Sequence, residues 1–190
     1  MNILITGIRV SGKSSLRRLL KAELKNLRLN VKHCDLSQFS NAWDGADEDF
    51  MFRLSDRFES GMFYLIEDPD GLTDKSSLPL EFYDLILYVK PDSLSYIFFW
   101  LKRAADWYQV GKFAWKPGPD GWKGTGLPKD WHNLWPISKF FLSNLYRQKQ
   151  RLKTDLKIIS SIKHQIVTSF WEPGGNIRFE FSASFKFPSP

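Results

Sequence analysis

The chain has 190 residues, with 27 Lys and Arg against 21 Asp and Glu for a formal net charge of +6, a length that predicts one domain with a sizeable core. Its single cysteine, Cys34, excludes an intramolecular disulfide, and three scattered histidines provide no structural zinc spacing. No apolar run approaches the ~20 residues of a membrane span, and the opening "MNILIT" is too short for a signal peptide, so the expectation is a cytoplasmic protein without membrane contact.

Charge is unevenly spread. Residues 35–84 carry thirteen acidic and three basic side chains, whereas residues 99–163 carry thirteen basic and four acidic ones. The basic half suits a polyanionic partner, nucleic acid among them, or forms a solvated face complementing the acidic half.

Ile3 to Thr6 form a short apolar run that predicts a buried strand beginning at residue 2 and ending at Gly7. "GIRVSGKSS", residues 7–15, follows and fits the phosphate-binding pattern G-x-x-x-x-G-K-[ST]. Leu16, Leu19, Leu20, Leu24 and Leu27 then recur at three- and four-residue spacing, which predicts an amphipathic helix from Lys13. Strand, glycine loop and helix stand in the order such a loop requires.

A second strand is expected near Leu29–Cys34 with Asp35 at its carboxyl end, a helix over 47–60, and a third strand at Met62–Ile66 stopped by Glu67, Asp68, Pro69 and Asp70. Leu85–Val89 reads as a fourth strand, and Asp92 or Ser93 as the cap of a helix to about Tyr108. Residues 111–136 hold five Gly and four Pro, which predicts a long irregular, lid-like segment. A helix resumes over 138–157. Residues 166–171 and the alternating stretch 177–187 read as a C-terminal hairpin that completes the core or contacts another copy of the chain. The expected fold is α/β, a parallel sheet of about five strands sandwiched by helices, in one domain with a C-terminal extension from 164.

Over residues 2–110 the chain resembles the P-loop NTPases, and among them the nucleotide- and nucleoside-kinase-like branch; the phosphate loop carries the specificity. The resemblance implies ATP or GTP with Mg²⁺, and transfer of the γ-phosphoryl group to a small acceptor such as a nucleoside or nucleotide. Gly7 and Gly12 let the backbone turn, successive amides from Val10 through Ser11 to Ser15 can face phosphate oxygens, and Ile8 and Arg9 complete the nucleotide-binding loop. Lys13 offsets phosphate charge and Ser14 can ligate Mg²⁺. The resemblance implies a carboxylate at the end of a neighbouring strand, for which Asp68 is the first choice and Glu67 its rival. It also implies a base for the acceptor hydroxyl at the position of Asp35, which competes with a helix-capping role. Phe39 and Trp43 after it suit a substrate wall or the core. Cationic help falls to Arg103 or Lys102, because the 111–136 segment holds Lys112, Lys116, Lys123 and Lys129 but no arginine. Six of the eight tryptophans lie between Trp100 and Trp135, suited to stacking on a base or to holding that segment on the core.

Two other classes remain open. "DPDG", Asp68–Gly71, fits the D-x-x-G of GTPases and "KPD", Lys90–Asp92, echoes N-K-x-D, but no threonine occurs between Thr6 and Thr73 to act as a switch residue. A nucleotide-dependent module that binds nucleic acid or protein through the basic region is the third.

Overall fold

Ile3, Leu4 and Ile5 have no solvent exposure, as expected of an apolar strand covered on both faces. They belong to β1 (Asn2–Gly7), an inner strand of a six-stranded sheet of order β2-β3-β1-β4-β5-β6. The other strands are β2 (Val31–Asp35), β3 (Phe63–Glu67), β4 (Leu85–Pro91), β5 (His164–Trp171) and β6 (Ile177–Phe181). The helices are α1 (Lys13–Asn26), α2 (Ser93–Val110) and α3 (Leu134–Ile159). The computed structural model describes residues 1–8, 10–35, 61–68, 80–110, 134–160 and 163–182.

Strands β1 to β5 are all parallel, and β6 returns antiparallel on β5. The expected C-terminal hairpin is therefore present, and its first strand is also the fifth parallel strand. Its turn is closed by the Glu172 N–H donating to the Asn176 carbonyl at 3.0 Å. The alternating stretch was expected to run to 187; β6 ends at Phe181, and residues 183–190 lie outside the described residues.

The sheet carries helices on both faces. Leu16, Leu20 and Leu24 of α1 pack on Ile3, Ile5, Leu65, Leu87, Val89 and Val167. On the other face Leu152, Leu156 and Ile159 of α3 meet Leu4, Tyr64, Ile66, Ile86 and Tyr88. Of the expected leucine stripe, Leu16, Leu20 and Leu24 face the sheet, whereas Leu19 and Leu27 are exposed along with Arg18 and Lys25. Asp92 caps α2: its Oδ2 accepts the N–H groups of Leu94 at 3.1 Å and Ser95 at 3.3 Å.

Helix α3 starts four residues before its expected position, inside the segment expected to be irregular. Pro136 lies in its first turn, where a missing N–H breaks no helical bond. The helix expected over 47–60, Phe39, Trp43 and the lid lysines of 111–133 lie outside the described residues. No described helix is long and apolar enough to cross a membrane.

Candidate functional site

Strand β1 ends at Gly7 and α1 begins at Lys13, so the intervening loop turns at the carboxyl edge of the parallel strands. The chain leaves β1 toward β2 on one side and leaves β4 toward β5 on the other, and open α/β sheets bind ligands outside the strand ends where connections diverge in this way. Gly7 has φ 134° and pairs with Val89 of β4, and a Cβ there would overlap the Val89 carbonyl. Gly12, at φ 87°, is the left-handed N-cap of α1, and its carbonyl accepts the N–H groups of Ser15 at 3.0 Å and Leu16 at 2.9 Å. Val10 has φ 57°, a left-handed conformation that a β-branched residue adopts only under strain of about 1–3 kcal/mol.

Helix α1 has no side-chain cap and no acidic residue in its first turn. Its first N–H groups and the positive end of its dipole therefore face the loop without a compensating carboxylate from that turn. The Lys13 ammonium is drawn back into the loop, donating to the carbonyls of Gly7 and Ile8 at 2.9 Å each, and the residue is only 7 % exposed. Ser11 is buried, and its Oγ has no hydrogen-bond partner among the described residues.

Ser14 Oγ donates to Glu67 Oε1 at 2.5 Å. A hydroxyl has one proton to give, so Glu67 rather than Asp68 holds it. Glu67 ends β3 opposite Ile5, on the register that brings it under α1. Asp68 is also buried, with its N–H donating to the Ile5 carbonyl at 3.0 Å. Two oxygen donors, the Ser14 hydroxyl and the Glu67 carboxylate, are thus brought together in a set that fits Mg²⁺, which takes one or two carboxylates with phosphates and waters. Among the described residues no group of three or more His, Cys, Asp or Glu could hold a metal ion.

The backbone of Asp35 pairs with Glu67, so the end of β2 lies beside the same edge. The side chains of Asp35 and Arg103, and all of Arg9, lie outside the described residues. Three contacts had no place in the sequence reading. Arg17 Nε donates to Glu67 Oε2 at 2.9 Å. Ser169 Oγ of β5 donates to the Ser11 carbonyl at 2.7 Å. Ile177 and Phe179 of β6 lie against Gly12, 3.7 and 3.6 Å from where a Cβ would stand. Arg17 had a signal, since three residues after Ser14 on a helix is the same face. Ser169 had none.

Compared with protein-family models, curated proteins and solved structures, the chain matches none of them.

Proposed function

We propose that the chain is a P-loop phosphotransferase that binds Mg-ATP and passes its γ-phosphoryl group to a small hydroxyl or phosphate acceptor, with nucleosides and nucleotides the first class to test. The observation that carries this reading is the loop of residues 7–15: glycines at its two turning points, an uncapped helix N-terminus behind it, Lys13 folded into it and Ser14 joined to a strand-end carboxylate. The loop and helix amides receive phosphate oxygens. Lys13 exchanges its loop carbonyls for the β- and γ-phosphates, while the loop's own contacts hold Val10 in its strained conformation. Bound Mg²⁺ would supply charge neutralisation at the phosphates, held by Ser14 and Glu67. Asp35, at the strand end next to Glu67, orients or deprotonates the acceptor, and Arg103 on α2 supplies positive charge to the migrating group.

The test uses γ-labelled ATP with Mg²⁺ on wild type and Lys13→Ala, following label into free phosphate and a panel of nucleosides and nucleotides. Lys13-dependent label in one acceptor is the expected result. Label in free phosphate alone moves the protein to an NTPase switch, and full activity in a folded Lys13→Ala variant overturns the reading.

A further inference from the structure

Glu67 is engaged through both oxygens. Oε1 accepts the Ser14 hydroxyl and Oε2 accepts Arg17 Nε, in an ion pair whose side chains are 20 % exposed at Arg17 and 10 % at Glu67. Arg17 stands one helical turn beyond Ser14 on α1, so both reach down to the same β3 residue. The pair does more than tie a helix to a strand. Arg17 and Ser14 each take a lone pair of the carboxylate that a cation would use, and the guanidinium offsets its charge. Lys13 is held nearby in the loop, and Asp68 is buried next to Glu67. A divalent cation arriving alone meets a Glu67 carboxylate already paired with a guanidinium; one arriving with a polyphosphate brings negative charge that competes for that guanidinium and for Lys13.

We infer that Arg17 is a positioning residue that makes divalent-cation binding conditional on nucleotide, by holding Glu67 and offsetting its charge until polyphosphate reverses the local balance. This inference rests on the phosphate-loop reading above. It makes metal and nucleotide thermodynamically coupled: nucleotide strengthens metal binding by the factor by which metal strengthens nucleotide binding. Removing Arg17 lowers that factor without removing either ligand's contacts.

The experiment titrates Mn²⁺ alone into the nucleotide-free full chain, followed by electron paramagnetic resonance, for wild type, Arg17→Gln, Arg17→Lys and Arg17→Gln/Glu67→Gln. Arg17→Gln should bind one Mn²⁺ at least ~10-fold more tightly than wild type, about 1.4 kcal/mol. Arg17→Lys, which keeps the charge, should stay near wild type, and the double variant should lose the gain. Repeating the titration with a non-hydrolysable ATP analogue should narrow the difference between wild type and Arg17→Gln. Equal or weaker Mn²⁺ binding by Arg17→Gln, with analogue binding intact, overturns the role of Arg17 alone. Failure of wild type to bind the analogue overturns the phosphate-loop reading and the inference with it. Thermal melts establish that each variant is folded, and Arg17→Met carries the same comparison if Arg17→Gln is not.

Discussion

Gly7 shows how much one residue type decides at this edge of the sheet. Its φ of 134° lies where side chains are strained, and the Val89 carbonyl of the paired strand fills the space a Cβ would take. The clash is with backbone, so relief requires β1 and β4 to part at their last paired residues. Gly7→Ala should cost at least the ~1–3 kcal/mol of a disallowed backbone conformation and lower the thermal midpoint by several degrees; calorimetry on the folded variant reads this directly, and an unchanged midpoint would contradict the geometry. The loop was legible in the sequence because its needs map onto residue types: glycine where φ is positive, lysine for charge, serine for a hydroxyl. Which of Glu67 and Asp68 meets Ser14 was not legible. It depends on strand phase, and only the pairing of Ile5 with Glu67 shows which of two successive carboxylates lies under α1.

The C-terminal hairpin acts on the loop as an element. Ser169 bonds the Ser11 carbonyl, the Ser169 carbonyl accepts the Asp92 N–H at 2.9 Å, and Ile177 and Phe179 lie against Gly12. The hairpin thus ties the loop of residues 7–15 to the start of α2, where Ser95 Oγ accepts the Trp171 N–H at 2.8 Å and Phe99 meets the Trp171 ring edge-on. Ser169→Ala leaves the Ser11 carbonyl short of a buried donor, which should lower stability by about 1–3 kcal/mol and weaken binding of an ATP analogue. Hydrogen exchange should quicken at loop residues 10–12 before it does in β1; uniform change across both would mean the hairpin does not brace the loop specifically. The first four strands and α1 were readable because apolar runs and leucine spacing report burial directly. The parallel pairing of β5 was not. A segment that forms a hairpin with its successor carries no local mark of which earlier strand it will join, and β4 lies more than seventy residues back.

At the scale of the molecule, two cores on opposite faces of one sheet are locked by contacts between distant parts of the chain. The basic run is, in the described part of α3, a solvent face: Arg147, Lys149, Lys153 and Lys157 are exposed while Leu152, Leu156 and Ile159 pack inward. Arg151, in the same run, is half-buried, and Asp155 is fully buried, accepting the Tyr88 hydroxyl at 2.9 Å across 67 residues. Burial chiefly, and then the neighbouring Asp155 carboxylate, pushes the Tyr88 hydroxyl far above its ordinary value; burial pushes Tyr96 up to about 12. Both groups therefore stay protonated in the folded chain where an unfolded tyrosine ionises, near pH 10. Above that pH the unfolded state binds fewer protons than the folded one, so stability falls as pH rises. Below it these two groups contribute a constant amount. Each can steepen the fall by up to ~1.4 kcal/mol per pH unit. Urea unfolding between pH 7 and 11 should be level with respect to these groups at first and then decline past pH 10. Tyr88→Phe should start about 1–3 kcal/mol lower at pH 7, because the buried carboxylate loses a donor, and should decline less steeply above pH 10. Parallel declines in wild type and Tyr88→Phe would show that the Tyr88 proton does not couple to folding, and would place the alkaline sensitivity in other tyrosines of the chain.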